Sequence, residues 1–503
     1  MTPPVRALRA ALLAVLLAVL LPTLAACTLV QPTSRPSGTV SASAKPRDFT
    51  VLTAERITTT DPAAITTDVG AIVALNLFQR LMLIQPGSGQ LRPDLASECL
   101  YTSPTVYECH LPKELTFSNG HELTSSDVKF SILRALRLRV PGTSLSLLSS
   151  LDRIETPNPQ TVRFRLLWPD TQFGWGLAAP GASVVDEESY DPDRVRPTQE
   201  MAYGSGPYQL EVLDERGMTI AKFPHYVGPD RTDMPRIRVE YADSATAEKA
   251  IADDAADLIW RTLDQPAVDR LSAEMEESDN GLTKSGFRRW DLPGTRIRRL
   301  VWNPDSPLRS QAQLRQAIAL SLQRDRTLDS IVPVKVEGHQ ASFEVGGKPR
   351  VRQLARRVLL GLGYSSTSPD LADLAHTIRD RLEGALGVSV QLTPDDTSAD
   401  LWLTERSAWI NTSLGWLQDY LDNPLPGSAD KLAQLEKLAR TTEQADVRDI
   451  ALGELQKQAA ADATVLPISQ NAQVLYTHQR VDLVGEAFGP CWQLGLWGVR
   501  WRS

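Results

Sequence analysis

The sequence predicts a mixed α/β protein that folds as several lobes. It has 503 residues, and at about 150 residues per domain this length exceeds one small core. Its residues are 42% hydrophobic and 23% charged, which is ordinary for a globular protein and excludes bulk disorder and coiled-coil rods. Stretches typical of strands and of helices alternate along the chain, with no internal repeat of fixed period.

Charge and composition exclude several functional classes. The chain has 53 Lys and Arg against 61 Asp and Glu, a net charge of -8, and no dense basic run, so we expect no nucleic-acid binding. Its four Cys and six His form neither a Cys-x-x-Cys pair nor a His-Glu-x-x-His motif, so we expect no metal and no cofactor. There is also no Gly-x-Ser-x-Gly motif and no phosphate-binding glycine loop. We therefore expect that the protein is not an enzyme.

Residues 1–27 are typical of a secretory signal that ends in a lipidation site. Arg6 and Arg9 precede a continuous apolar run from Ala10 to Leu21, which is of signal-peptide length. The following Leu24-Ala25-Ala26-Cys27 resembles a lipobox, which predicts lipidation of Cys27 and a stable anchor on the extracytoplasmic face of the cell membrane. An ordinary signal peptide is the alternative. Residues 28–47, rich in Ser, Thr, Pro and Ala, predict a flexible tether.

The remaining cysteines fit an oxidising compartment. Cys99 and Cys109 flank a turn around Pro104 between two short runs of strand character. Folding at that turn would bring them together, so they are a disulfide candidate, with two free core thiols as the alternative. Cys491, among Trp492 and other apolar residues, is expected to be a small buried hydrophobe.

The folded body shows a sequence of predictable elements. An apolar strand begins at Thr50, and apolar residues have helical spacing from Ala71 to Leu83. Thr124 and Asp127 are spaced as a capping box, which predicts that a helix begins there. We expect further strands at 161–167, 209–213, 235–241 and 465–468, and further helices at 246–252, 314–322, 432–440 and 445–460.

Several segments, taken in order, resemble one protein family. Residues 107–136, YECHLPKELTFSNGHELTSSDVKFSILRAL, carry its pattern Phe-x-Asn/Asp-Gly-x-x-Leu-Thr-x-x-Asp-Val without gaps. Residues 204–208, GSGPY, resemble its Gly-Thr-Gly-Pro-Tyr turn, and residues 314–325 and 359–364 resemble two later elements. Together these segments resemble extracellular solute-binding protein family 5, the oligopeptide-, dipeptide- and nickel-binding lipoproteins of ABC importers.

The resemblance implies an architecture. It is a periplasmic-binding-protein-like (class II) α/β fold, with two lobes around a cleft and an additional inserted domain. Lobe I would comprise residues 48–88, 201–297 and 465–503, the inserted domain II residues 89–200, and lobe III residues 298–464. Gly204, Gly206 and Pro207 would form the turn by which the chain returns to lobe I, and the cleft would close by hinge motion.

The resemblance also indicates where a ligand would bind. Residues 415–420, GWLQDY, resemble the family's Gly-Trp-x-x-Asp-Tyr element, whose Asp pairs with the N-terminal ammonium group of a bound peptide. Asp419 is therefore the candidate anchor, with Trp416 as a pocket wall and Tyr420 and Trp409 as further candidates. A solvated loop acid is the alternative for Asp419. A competing alignment uses residues 400–403 and Trp409, with no acid at the anchor position.

These inferences imply a function. The protein would be a lipid-anchored, monomeric component that captures peptides and delivers them to an ABC permease driven by a separate ATPase. Nickel chelates, sugars and opines are other ligands within the same resemblance. The stretch between Pro424 and Asp430 is short compared with the family, and this favours an alternative, a non-transport accessory or regulatory lipoprotein of the cell envelope.

Overall fold

The computed structural model describes residues 47–85, 88–229, 232–347, 349, 351–484 and 494–502. Within these ranges the chain forms eighteen strands and ten α-helices. The predicted signal peptide and lipidation site at residues 1–27 lie outside the described residues, as do residues 28–46 of the predicted tether and Cys491. Of the helices that the structure describes, none is both long and apolar enough to cross a bilayer.

Strands and helices alternate along most of the chain. The strands are β1 (Phe49–Thr53), β2 (Met82–Ile84), β3 (Leu91–Pro93), β4 (Glu98–Ser103), β5 (Val106–His110), β6 (Leu151–Asn158), β7 (Thr161–Leu166), β8 (Tyr208–Asp214), β9 (Gly217–Lys222), β10 (Arg236–Tyr241), β11 (Leu258–Trp260), β12 (Phe287–Trp302), β13 (Leu359–Tyr364), β14 (Ser389–Pro394), β15 (Leu401–Arg406), β16 (Val465–His478), β17 (Val481–Leu483) and β18 (Val499–Trp501). The helices are α1 (Asp68–Leu77), α2 (Ser125–Leu138), α3 (Phe173–Gly176), α4 (Ser244–Ala252), α5 (Gln265–Glu277), α6 (Ala312–Ser321), α7 (Pro369–Leu386), α8 (Ser413–Leu421), α9 (Ala429–Thr441) and α10 (Ala445–Asp462).

One long sheet organises the molecule. Its ten strands have the order β14-β13-β15-β12-β16-β11-β1-β10-β9-β8. The long antiparallel pair of β12 and β16 connects both sides of the sheet, because the end of β16 pairs with β11 and the end of β12 pairs with β15. We call β11, β1, β10, β9 and β8 the first half of the sheet, and β13, β14 and β15 the second half.

The pairing of β12 with β16 is irregular where it passes between the halves. The register shifts between Leu292 and Thr295, and again between Arg298 and Arg299. Such irregularities bend a strand and increase its twist. The two halves therefore meet at a bent, two-stranded connection, which is a suitable place for a hinge.

The carboxyl ends of parallel strands meet where the two halves adjoin. In the first half β1 is parallel to β11, and in the second half β13 is parallel to β15. Ligands of open α/β sheets bind beyond the carboxyl ends of such strands. The loops after these strands are therefore where a site is expected.

A second, four-stranded sheet lies within the predicted inserted domain. Its order is β4-β5-β7-β6, and a disulfide joins Cys99 of β4 to Cys109 of β5, which are opposite each other in the ladder. Helix α2 begins with the expected capping box: the Thr124 side chain accepts from the helix's first turn, and Asp127 accepts from the Thr124 backbone at 2.8 Å.

The helix predicted from Ala71 to Leu83 is shorter than its apolar spacing suggests. It ends at Leu77, and Met82 begins strand β2. The physical reason is an intervening buried charge: the backbone N–H and guanidinium of Arg80 both donate to the Asp94 carboxylate, at 3.0 and 3.3 Å. This pairing keeps Arg80 outside the helix, in the connection between α1 and β2.

The predicted turn at Gly204, Gly206 and Pro207 leads directly into β8. It packs against the end of α1, and the Gly206 N–H donates to the Leu77 carbonyl at 2.9 Å. A Cβ atom at Gly206 would lie 2.6 Å from the Leu77 carbonyl carbon, so a close backbone approach explains the glycine. A hinge role for this turn stays a prediction, as do the lobe boundaries.

Candidate ligand-binding site

Four adjoining cavities follow the boundary between the two halves of the sheet. Their volumes are about 390, 420, 290 and 620 Å³ for the first to fourth. The first and second share Arg261, Arg296 and Glu405, the second and third share Trp402, Thr404 and Arg406, and the third and fourth share Asp419 and Asn423. Neighbouring cavities thus share wall residues, and we call the series of four cavities the seam groove.

The second cavity lies at the carboxyl ends of the parallel strands. Glu55 and Arg56 follow β1, Arg261 follows β11, Ser365 follows β13, and Arg406 ends β15. Both halves of the sheet thus contribute to one cavity, which is the arrangement expected of a ligand site in an open α/β sheet.

A cluster of five arginines, which we call the arginine cluster, lines the seam groove: Arg261, Arg296, Arg298, Arg299 and Arg406. Strand pairing positions several of them, because Arg298 of β12 lies opposite Glu405 of β15. Glu405 accepts from Arg298 Nε at 2.7 Å and lies 2.7 Å from Arg296 Nη1. One buried carboxylate thus pairs with two guanidinium groups.

Ion pairs of the cluster also join the two halves. Arg261 lies 2.9 Å from Glu55 and 3.1 Å from Asp68, which is in the first turn of α1. Arg296, in the part of β12 that adjoins the second half, lies 3.9 Å from the same Asp68 carboxylate. Asp68 is therefore shared between a cation from each side of the boundary.

The pKa values of these buried groups depend both on burial and on the charges of their neighbours. Burial lowers the pKa of the Arg296 guanidinium, and repulsion by Arg261 lowers it further. Burial also lowers the pKa of Arg299, and the attraction of Asp419 does not restore it. Burial raises the pKa of the Glu405 carboxyl, but Arg296 and the other nearby arginines outweigh that effect, so this pKa is lowered overall.

The structure places Asp419 at the junction of the third and fourth cavities, on helix α8. Thr412 caps this helix by accepting from the Gly415 N–H, and a Cβ at position 415 would collide with the Ile410 carbonyl oxygen. The Asp419 carboxylate accepts from Arg299 and lies 3.4 Å from Arg406. Burial raises its pKa, but the charges of Arg299 and Arg406 more than offset this, so the pKa is lowered.

One sequence-based alternative for this segment is wrong. Asp419 is not a solvated loop acid, because its side chain is 24% exposed and ion-paired within a helix. Binding of a ligand's ammonium group by Asp419 stays a prediction.

The three aromatic candidates are buried. Trp409, Trp416 and Tyr420 are 4%, 2% and 1% exposed, and none of them lines the four cavities described above. Tyr420 donates to Asp462 at 2.7 Å, and Trp416 Nε1 donates to Asn411 at 3.1 Å. This placement favours core packing over ligand contact for all three residues. Trp302, Trp402 and Tyr476 are aromatic residues that line the seam groove, and Trp402, which is half-buried, lines two of its cavities.

The fourth cavity lies between the predicted inserted domain and helix α8. Its walls come from residues 136–149 and from Asp419, Asp422 and Asn423. The Ser146 hydroxyl donates to Asp422 at 3.1 Å across this boundary. A third section of the chain thus closes one end of the seam groove.

Sequence reasoning missed the arginine cluster. A signal was present, since RIRRLVW at 296–302 places three cations in a strand that otherwise carries apolar core residues. Among the described residues, no group of three or more His, Cys, Asp or Glu side chains could hold a metal ion.

This combination of features defines a class of protein. A long sheet divided by two crossing strands, a polar groove at the division and an inserted smaller sheet are the architecture of the two-lobed periplasmic binding proteins. The chain belongs to the bacterial extracellular solute-binding proteins, family 5, whose middle-region model matches residues 90–341.

Comparison with individual proteins agrees with this assignment. The chain is 27% identical over 325 residues to the peptide transport periplasmic protein SapA of Salmonella typhimurium, covering 59% of this chain and 56% of that protein. The chain therefore spans about half the length of the curated relatives it matches.

Solved structures share the whole fold. AgaA of A. tumefaciens R10, in complex with agropinic acid, has a TM-score of 0.76 at 19% identity, over 90% of this chain and 98% of that one. DppA of Helicobacter pylori, in complex with the peptide STSA, has a TM-score of 0.75 at 16% identity, over 91% and 98%. At these identities the similarity shows the fold alone.

Proposed function

We propose that this protein is the substrate-binding component of an ABC importer, and that it captures peptides in the seam groove. The observation that carries the proposal is the series of polar cavities between two halves of a sheet that β12 and β16 connect. The names of its relatives support the ligand class, since SapA is described as a peptide transport protein and DppA was solved with a peptide.

The geometry supports capture by closure. The halves are joined by a bent strand pair, so small changes in β12 and β16 would open or close the groove. In this structure Glu55 and Asp68 contact the arginine cluster, and the backbone groups of a peptide bound there would be surrounded by polar side chains. Closure would also create the surface that docks on the permease.

The membrane attachment forms part of the same proposal. Lipidation of Cys27 followed by a tether would hold the binding protein beside its permease on the extracytoplasmic side. The folded part is proposed to act as a monomer, without a cofactor, and the ATPase that drives import would be a separate chain.

Asp419 remains the candidate residue for binding a peptide's ammonium group, but its existing ion pairs affect how it could do so. Its carboxylate already pairs with Arg299 and Arg406, so an ammonium group would have to share it with two guanidinium groups. This sharing weakens the anchor, and it favours the second candidate function, an accessory envelope lipoprotein that uses the same fold without feeding a transporter.

Isothermal titration calorimetry with a defined set of tri- and tetrapeptides tests the proposal. The protein would be used as a soluble form that begins at Ser41 and is purified without denaturation. We expect micromolar or tighter binding of at least some peptides, and weaker binding by Asp419→Asn. The matched control is Asp193→Asn, an exposed acid paired with Arg137 away from the groove. Absence of binding by every peptide contradicts peptide capture and favours the accessory role.

A further inference from the structure

The seam groove is rich in positive charge although the whole chain is acidic. The net charge of the chain is -8. The first three cavities are nevertheless lined by seven arginines and five carboxylates, and by no lysine or histidine. The arginines are 56, 261, 289, 296, 298, 299 and 406, and the acids are Glu55, Asp68, Asp370, Glu405 and Asp419.

Three of these carboxylates each form ion pairs with two arginines. The pairs are Asp68 with Arg261 and Arg296, Glu405 with Arg296 and Arg298, and Asp419 with Arg299 and Arg406. Arg289 pairs with Asp291, which lies outside the cavity lining, and adding this acid still leaves an excess of arginine. The internal ion pairs therefore do not neutralise the groove.

Part of this positive charge is poorly compensated inside the protein. Arg296 and Arg299 are largely buried, and among the described residues neither Nε atom finds a hydrogen-bond acceptor. The lowered pKa of both guanidinium groups has the same origin, since burial disfavours their charge. A negative group in the groove would relieve this imbalance.

Four arginines line the first cavity, and each of them has an ion-pair partner. Arg261, Arg289, Arg296 and Arg298 line it together with Asp370 and Glu405, and their partners outside this cavity are Glu55, Asp68 and Asp291. The Arg289 side chain is 36% exposed, and its Nε and Nη2 atoms donate to the exposed Asp291 at 3.1 and 2.9 Å, so a ligand in this cavity would compete with Asp291 for this guanidinium group. Amide and hydroxyl groups of Gln265, Gln470 and Tyr476 line the same cavity.

We infer that the seam groove selects acidic peptides, whose carboxylates bind the guanidinium groups of Arg289, Arg296 and Arg298. The inference rests on the proposed peptide capture, and it names the charge of the ligand. Guanidinium groups suit this role because their paired N–H donors match the two oxygens of a carboxylate. A peptide with a cationic side chain would instead add positive charge to a groove that already has an excess of positive charge.

The test compares three peptides that differ in one side chain: Ala-Glu-Ala, Ala-Gln-Ala and Ala-Lys-Ala. Titration calorimetry of the Ser41-start protein at low salt should give at least tenfold tighter binding for the Glu peptide than for the Gln peptide, with the Lys peptide weakest. Raising the salt concentration should reduce this difference. Equal affinities for all three peptides would overturn the inference and leave peptide capture standing.

Variants assign the effect to the arginines. Arg298→Gln should abolish the preference for Glu over Gln, and Arg289→Gln, at an exposed position where folding is not at risk, should reduce it. Arg137→Gln, which removes an exposed arginine of the predicted inserted domain, should keep it. A Glu preference that persists in both groove variants would contradict the inference.

A second probe separates the inference from the proposed function. Citrate should raise the melting temperature of the wild type more than that of Arg298→Gln, at matched ionic strength. If no peptide binds but this difference is present, the anionic site stands and peptide capture fails. If no peptide binds and citrate stabilises both proteins equally, both proposals fail.

Discussion

The guanidinium group of Arg440 lies 3.0 Å from the carboxylate of Asp170, although 270 residues separate the two in sequence. Both side chains are almost completely buried. The same contact is strengthened by the Arg440 carbonyl, which accepts from the Thr171 N–H at 2.9 Å. Because Asp170 belongs to the predicted inserted domain and Arg440 to helix α9, this pair fastens the predicted inserted domain to the helix that follows α8 in the chain.

Breaking this pair should destabilise the protein strongly. Arg440→Met leaves the Asp170 carboxylate buried without its cation, and we expect a loss of about 3–5 kcal/mol in the free energy of unfolding. Urea denaturation measures the change. The double variant Asp170→Asn/Arg440→Met should lose less than the sum of the two single variants. A single variant that stays within about 0.5 kcal/mol of the wild type would contradict this role.

Asp419 should stabilise the fold in a pH-dependent way. Its pKa is lowered in the folded state from an ordinary 3.8, so its contribution is present above pH 3.8 and is lost as pH falls below that value. We expect Asp419→Asn to lose about 1–3 kcal/mol at pH 7, because Arg299 loses its buried charged partner. Denaturation at pH 7 and pH 3 should show this difference shrinking at the lower pH. A difference that does not depend on pH would contradict the ion pairing.

Gly206 should not tolerate a side chain. In Gly206→Ala the new Cβ would lie 2.6 to 2.7 Å from backbone atoms at the end of α1, and we expect a loss of more than about 2 kcal/mol. Gly384→Ala is the matched control, since a Cβ at this position of α7 has nothing within 4 Å and the change should gain about 0.5–1 kcal/mol. Equal effects of the two changes on the melting temperature would refute the packing argument.

The disulfide between Cys99 and Cys109 should stabilise the inserted sheet. Replacing both residues with Ser frees the β4–β5 hairpin in the unfolded chain, and we expect a loss of about 2–3 kcal/mol. Thermal unfolding with and without a reducing agent checks this. Reductant should lower the melting temperature of the wild type towards that of the double Ser variant, and should leave the variant unchanged.

Local sequence signals predicted local structure well. The spacing of Thr124 and Asp127 predicted the start of α2, because a capping box depends only on residues within one turn. The helix expected from Ala71 to Leu83 was too long, because apolar spacing cannot show that Arg80 pairs with Asp94, fourteen residues away. The family and its fold were recognisable from ordered motifs, each of them local.

The candidate site was only partly predictable, because its properties arise from distant pairing. Asp419 was found through its motif, but its two arginine partners come from β12 and β15, and only the sheet register brings them together. Trp416 belongs to the same motif yet is buried, whereas Trp402 faces the groove. Which side of a helix or strand meets a groove depends on its neighbours in the fold.

Native mass spectrometry of the Ser41-start protein, purified without denaturation, tests the central claim most directly. A capture protein with a closed groove should retain a heterogeneous set of short peptides from its expression host, and acidic sequences should predominate among them. Arg298→Gln should retain fewer acidic peptides, whereas Arg137→Gln should match the wild type. A protein that carries no peptide, and whose melting temperature no peptide library raises, would contradict the proposed capture function.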